Sequence, residues 1–574
     1  PRPHRVSLQE FRISFVHSHS DMAANKINNL NCVIPDTNYK PRPLPDELKS
    51  LPDRVSAALS NKAIFITGGS GFLGKVLIEK ILRKTPDLKK IYILLRAKKG
   101  KEPRQRIDDI FSSPLFDMLK SMRGTEVMSR VVPINGDVTL PNLGISPENR
   151  KTLCEEVEIV YHAAATIRFD EPLRKAVLLN TRGTKYMLEL AKEMKQLQLF
   201  VHISTSYCHL QEKVLYEKAY PPPADPHKII RACELLEEDL IEKISKRLLG
   251  HFPNSYAYTK CLSEGLVVEA TENGLPTIIL RPSIVIPIWI EPLPGWTDNI
   301  NGPTGLLIGA GKGVIRTMYC NNQGYADYLP VDITVNAIIL STWNYIGRGD
   351  TEHKIAHLTS SMEWQVSWQE IIDLGKQIVS EKVPLNNCVW YPGGSMKRSR
   401  LLHQICVIFL HMIPAYFLDT IIFLSGNKPV LCRVQERINK GFEVFEYYAN
   451  NQWEFKNEHV HLLRKVMNKR ERFEYKVDGE DMDLRKYFED CILSTRLYIL
   501  KEMPDTLPAA RRHMRMMYWV DVMAKLLFFA FMFWCFASWT GPLVAVGSQF
   551  FHFLTSLFSS EYTANSENVS IKDL

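Results

Sequence analysis

Short apolar runs of strand length recur along the first half of this chain, and stretches with helical spacing separate them. Lys62 to Gly74 begins as a strand, and Lys90–Leu95, Val131–Ile134, Val157–His162, Leu199–Ile203 and Thr277–Leu280 repeat the pattern. Lys75–Lys84 and a stretch from Tyr256 through Val268 carry the period of an amphipathic helix. Strands alternating with helices predict an α/β fold with a doubly wound parallel sheet, whose ligands lie at the carboxyl ends of the strands. Later the pattern changes. Ile405–Leu424 and Leu526–Val546 are apolar runs of membrane-spanning length. Asn25 to Leu59, by contrast, is polar and holds Pro41, Pro43, Pro45 and Pro52, so it reads as a lead-in.

The first strand runs into Thr67-Gly68-Gly69-Ser70-Gly71-Phe72-Leu73-Gly74, with Gly68, Gly71 and Gly74 at G-x-x-G-x-x-G spacing. One glycine permits the tight turn, one lets backbone N–H groups approach a pyrophosphate, and one allows close helix–sheet packing. The second strand ends in Arg96, a residue suited to the 2′-phosphate of NADP where an acid would hold the ribose of NAD. Lys98, Lys99 and Arg106 add positive charge there. The expected cofactor is NADPH.

Tyr256 and Lys260 lie four residues apart on one helix face. A lysine ammonium beside a phenol lowers its pKa and lets it exchange a proton with a carbonyl oxygen, and the same lysine can hold the nicotinamide ribose. Tyr258 has no lysine partner at that spacing. Other strand ends supply Asp137 and Val138 for the adenine, Ala163 and Ala164 as a flat surface for the cofactor, and hydroxyls in Ser204-Thr205-Ser206.

These motifs, with His162-Ala163-Ala164-Ala165-Thr166, Asn180-Thr181-Arg182-Gly183-Thr184, Arg281-Pro282-Ser283, Gly295-Trp296-Thr297-Asp298-Asn299 and Tyr328-Leu329-Pro330-Val331-Asp332, resemble an extended short-chain dehydrogenase/reductase. More narrowly, they resemble an alcohol-forming fatty acyl-CoA reductase of the insect type, over roughly residues 60 to 500. The resemblance implies a Rossmann-type reductase domain at 61–350, a mainly helical C-terminal domain at 351–505 and a membrane anchor with tail at 506–574, after an extension at 1–60. It implies reduction of a long-chain acyl-CoA to a fatty alcohol by NADPH, with Tyr256, Lys260 and Thr205 as the catalytic group and Ser206 as the alternate hydroxyl. It also places Asn180 and Pro282 among the cofactor-binding residues, and it calls for no metal. Two other readings stay open: an NADP-dependent dehydrogenase or epimerase acting on a sterol or nucleotide sugar, and a non-catalytic NADPH-binding membrane scaffold.

Charge and composition narrow the partners. A net charge of +8, spread rather than gathered on one aromatic-rich face, suits phosphate ligands and an anionic membrane surface and speaks against nucleic acid. Eleven cysteines without C-x-x-C spacing fit reduced thiols on the cytosolic side. Ile405–Leu424 contains His411, Pro414 and Asp419, so it is expected as a re-entrant or interfacial helix pair that helps hold the acyl chain, with a core helix as the alternative. Leu526–Val546 is uncharged and follows Arg511, Arg512, Arg515 and Lys525, which orients the catalytic body to the cytosol. A hairpin through Gln549–Phe558 is the alternative, and the sequon at Asn568 is a reporter of topology. The endoplasmic reticulum is the expected membrane, with peroxisome and lipid droplet open; the last residues are not a Ser-Lys-Leu signal. Arg2–Ser20 holds no signal-peptide run, and residues 1–21 read as translated upstream sequence before Met22, an incomplete end, or a native extension. Chain-length preference and oligomeric state are not legible in the sequence.

Overall fold

The computed structural model describes residues 41–564 except 98, 99, 361, 362 and 364, with the side chains of 539–546 and 557–564 left aside. Lys98, Lys99, residues 1–40 and Asn568 lie outside the described residues.

The centre is a seven-stranded parallel sheet. Its strands are β1 (Ala63–Thr67), β2 (Lys90–Leu95), β3 (Val131–Asn135), β4 (Ile159–His162), β5 (Leu199–Ile203), β6 (Thr277–Pro282) and β7 (Ile355–Leu358). Their spatial order is β7-β6-β5-β4-β1-β2-β3, with all neighbours parallel. The order reverses between β1 and β4, which is the topological switch point where such sheets take ligands. β1 and β5 are fully buried and rich in Ile, Phe and Val, as a strand covered on both faces must be.

The helices that matter for the site are α1 (Phe72–Lys84), α2 (Ser255–Glu272), α3 (Pro303–Gly311), α4 (Val331–Arg348), α5 (Trp368–Gln377), α6 (Arg400–Val407), α7 (Ile413–Leu424), α8 (Leu431–Asn450) and α9 (Leu507–Ala564). α1 begins at Phe72, three residues before the periodicity indicates, because Gly74 belongs to the first helical turn and its missing side chain hides the helical pattern. Two apolar cores cover the two faces of the sheet.

β7 is absent from the sequence reading; it is four residues long and carries a histidine. The lead-in is also more ordered than expected. Residues Arg54–Leu59 form a helix whose Val55 and Leu59 are buried in the core, and Arg54 pairs with Glu471 across the molecule.

Among the described residues, two helices are long and apolar enough to cross a membrane: Arg400–Leu424, of mean hydropathy 2.0, and Pro504–Ser538, of mean hydropathy 1.9. Neither is buried in the body, so the core-helix alternative for the first does not hold. They weakly suggest membrane association. α6 and α7 join through a π turn at Ile408–Met412 into one continuous helix rather than a pair. Its three awkward residues have local roles. The His411 ring accepts from the Arg316 N–H at 2.8 Å, Pro414 sits in the first turn of α7, and Asp419 accepts N–H groups of Val430, Leu431 and Cys432 at the start of α8. α9 runs as one helix through 549–558, with no turn for a hairpin in the described residues.

Candidate active site

The carboxyl ends of β1, β4 and β5 lie in register, Thr67 beside His162 and His162 beside His202. Above them opens a cleft of about 610 Å³. One end is the glycine turn. Gly68 adopts φ of +77°, and a Cβ there would sit 2.7 Å from the Ala163 backbone; a Cβ on Gly74 would collide with the Gly68 carbonyl. Only glycine leaves this cradle open, and backbone N–H groups at the start of α1 face it. The residues present therefore fit a dinucleotide.

Gly68, Ser70, Gly71, Phe72, Leu73, Gly74, Arg96, Asp137, Val138, Ala163, Ala164, Thr205, Tyr256, Lys260 and Pro282 all line this one cleft. Thr67, Gly69, Asn180 and Ser206 do not; each lies a layer behind. Thr67 Oγ1 bonds His162 Nδ1 at 2.7 Å, and Gly69 packs against Ile93. The Asn180 amide bridges Thr166 and Thr259 and so fixes α2 to the loop after β4. Ser206 Oγ donates to the Arg281 carbonyl at 2.6 Å, which leaves Thr205 as the hydroxyl that faces the cleft. Tyr258 is turned into the core against Phe252.

At the far end, Tyr256 and Thr205 share a hydrogen bond. Burial pushes the Tyr256 phenol above its ordinary range, and that bond pulls the other way. Lysine is not among the groups acting on the phenol. The expected direct lowering by Lys260 is corrected: Lys260 Nζ donates to the Ile203 carbonyl at 2.7 Å, drawn to the strand end instead. Burial lowers the Lys260 ammonium to about 8, against the opposing pull of Glu264 and Cys208. His162 and His202 lie below it, and burial first and Lys260 second hold both neutral, His162 at about 3.

α2 is held to the sheet by a buried ion pair. Glu264 accepts from Arg281 at 2.9 and 2.7 Å and from the His209 ring at 3.0 Å. Cys208 and Cys261, isolated in sequence, meet here: Cys261 Sγ donates to the Cys208 carbonyl at 2.9 Å. Cys208 Sγ in turn bonds the Thr205 carbonyl at 3.0 Å.

Ser204 and Ser283, each within a motif visible in the sequence, line the cleft with buried hydroxyls that have no partner among the described residues. The sequence reading missed other cleft residues. Phe445 and Tyr448 come from α8, far along the chain. Phe169 packs edge-on against Tyr256 at 5.5 Å and stacks on Tyr448. Tyr448 Oη accepts from Asn254 Nδ2 at 2.9 Å, and Asn254 Oδ1 caps α2 at Ala257 N. The Gly295–Asn299 motif closes over the turn, with Trp296 against Phe72 at 5.8 Å and Lys75 paired to Asp298 at 2.8 Å.

Arg106 completes the Arg96 end of the cleft. It donates to Ser70 Oγ at 3.2 Å and to the Arg96 carbonyl at 2.7 Å, and Arg96 reaches Asp137 at 3.3 Å.

Residues 66–338 match a family model described as male sterility protein, the NAD-binding part, and residues 410–502 match a second model of the same description. Fatty acyl-CoA reductase 1 of Xenopus laevis is 36% identical over 79% of this chain and 87% of its own length. The Homo sapiens protein of that name is 35% identical over the same shares. A putative fatty acyl-CoA reductase of Drosophila melanogaster is 34% identical over 87% of this chain and 98% of its own. Among solved structures, the reductase domain of a non-ribosomal peptide synthetase from Mycobacterium tuberculosis aligns with a TM-score of 0.51 at 17% identity, over 79% of this chain and 96% of that one. The terminal R domain of the myxalamid pathway aligns at 0.50 and 20% identity, over 76% and 90%. Those two share the fold alone. The match over 410–502 also accounts for the region that a sterol or nucleotide-sugar enzyme leaves unexplained. The chain belongs to the fatty acyl-CoA reductase family of extended short-chain dehydrogenases/reductases.

Proposed function

We propose that this protein reduces a long-chain fatty acyl-CoA to the primary alcohol through the aldehyde, releasing CoA, with NADPH as reductant. The observation that carries the reading is one cleft holding a dinucleotide cradle at one end and the Thr205–Tyr256 hydroxyl pair at the other, in a chain of this family. NADPH, when bound, supplies the hydride for each of the two reductions.

The rest is done by this chain's residues. Tyr256 and Thr205 donate hydrogen bonds to the thioester oxygen and polarise its carbonyl. The Tyr256 proton passes to that oxygen as carbon takes the hydride, giving a hemithioacetal. Its collapse re-forms the carbonyl, breaks the carbon–sulfur bond and releases CoA as the thiol. Tyr256, its proton restored from solvent, then polarises the aldehyde together with Thr205 and protonates the alkoxide. Lys260, charged below about 8, holds the ribose. Arg96 and Arg106, with Ser70, form the seat for the 2′-phosphate.

In this reading α9 anchors the enzyme in the endoplasmic reticulum membrane with its body in the cytosol, and the substrate is presented at that surface. A membrane fraction incubated with palmitoyl-CoA and NADPH should yield hexadecanol. Nucleotide consumption only with a sterol or a nucleotide sugar would overturn the reading.

A further inference from the structure

Beside the cleft lies a second, apolar cavity of about 130 Å³. Its walls include Leu306 and Ala310 on α3, Trp368 and Gly375 on α5, Met318 and Met396 on two short strands, Thr317–Tyr319 and Ser395–Lys397, and Phe488 on the helix Leu484–Ser494. Lys376 is the one charged residue on its wall among the described residues. Burying this much apolar surface around open space costs stability unless something fills it.

The cavity adjoins the cleft. Pro303 belongs to both walls. The strand Ile284–Ile286 divides them, with Ile284 and Val285 on the cleft and Ile286 on the cavity. Phe445 on the cleft side meets Trp368 on the cavity side, edge to face, at 6.0 Å. On its other side the cavity borders the apolar helix Arg400–Leu424. Thr317, a wall residue, bonds His403 of α6 at 3.1 Å, and α6, α7 and the π turn between them expose Leu401, Phe409, Phe417 and Leu424. For a chain whose reacting carbonyl sits at Tyr256, this cavity is an apolar space beside the cleft, bordered by the exposed apolar helix Arg400–Leu424.

We propose that this cavity receives the distal end of the substrate's acyl chain and sets chain-length preference; the proposal rests on the acyl-CoA reading above. The volume equals the liquid share of about four water molecules, and a methylene is of similar size. The cavity thus houses the last few carbons, while the nearer carbons lie in the cleft. Ala310 and Gly375 are small where larger side chains would narrow that space. A Cβ on Gly375 would already meet Leu307 Cδ1 at 2.7 Å.

The test uses the full-length protein in nanodiscs and alkyl-CoA thioethers, which bind but have no carbonyl to reduce. Each lodged methylene is worth about fourfold in affinity, so hexadecyl-CoA should bind wild type at least about tenfold more tightly than dodecyl-CoA. Ala310→Phe should erase that difference while leaving dodecyl-CoA binding unchanged. Met318→Ala, which enlarges the cavity, should shift the preference toward octadecyl-CoA. The same order should appear in turnover with lauroyl-, palmitoyl- and stearoyl-CoA. If both variants keep the wild-type length dependence, or weaken all lengths equally, the assignment is wrong. If Ala310→Phe does not fold, the Met318→Ala profile alone decides. A wild type that binds the thioethers with this length dependence yet reduces no acyl-CoA would overturn the reaction and leave the cavity standing.

Discussion

Backbone governs one wall of the cleft: Gly68, Gly71 and Gly74 approach so closely that a methyl group does not fit at two of the three, and strand ends set the rest in register. Aromatic rings from α8 and the loop after β4 form the other, with Phe169 packed on Tyr256, Tyr448 stacked on Phe169, and Phe445 on the same cleft. The first wall admits almost no change, because it shapes itself to a rigid pyrophosphate and ribose. The second is built of side chains that can shift by rotamer, which suits a flexible acyl substrate. Tyr256 stands where the two meet, and it depends on both. α2 is locked to the sheet by Glu264 and Arg281, and its first turn is tied to α8 through Asn254 and Tyr448.

Changes at the junction should cost most. Tyr256→Phe removes only the hydroxyl, so the fold and nucleotide binding should survive while alcohol formation falls by roughly 10² to 10⁴-fold, the usual contribution of general acid catalysis. Product assay and nucleotide titration on the same preparation separate the two. Turnover close to wild type would remove the tyrosine from its role.

The rigid wall comes next. Arg96→Ala and Arg106→Ala should each raise the Michaelis constant for NADPH by about 10- to 100-fold, the worth of a charge-assisted hydrogen bond. The constant for NADH should scarcely move. Both nucleotides weakened alike would mean that the guanidiniums support the turn rather than read the phosphate.

The pH profile tests the lysine. Burial places Lys260 at about 8, so its charge is present below that pH and lost above it. Turnover should therefore fall by about tenfold per pH unit on the alkaline side, with a midpoint near 8. Lys260→Arg keeps the charge at all working pH values, and whatever activity it retains should lose that alkaline limb. A limb unchanged in the arginine variant belongs to another group.

The adaptable wall should show the smallest effect. Tyr448→Phe deletes one neutral hydrogen bond, worth about 0.5–1.5 kcal/mol, and should lower turnover only a few-fold without altering NADPH binding. A loss as large as that of Tyr256→Phe would place Tyr448 in direct contact with the reacting carbonyl.

The same contrast explains what the sequence discloses. Glycine spacing, strand-ending arginine and a tyrosine–lysine pair four apart are local patterns, and the structure gathers nearly all of them into one cleft. Asn180 and Ser206 are equally visible in sequence, yet both hydrogen-bond one layer behind the cleft, and only burial tells the layers apart. Phe445 and Tyr448 leave no local signature: aromatic residues at helical spacing read as an ordinary apolar face. Ser204 and Ser283 gain significance only from being buried without partners. The seventh strand went unnoticed because four residues with a central histidine make too short a run.

The central claim is that one site reduces a thioester twice. Palmitoyl-CoA should be given to the full-length membrane enzyme with NADPH deuterated at the transferred hydrogen, and the hexadecanol should be examined by mass spectrometry. The alcohol should carry two deuterium atoms on its first carbon, with one CoA thiol released per alcohol and both products lost together in Tyr256→Phe. Alcohol with a single deuterium, aldehyde as the only product, or CoA release that persists in Tyr256→Phe would contradict it.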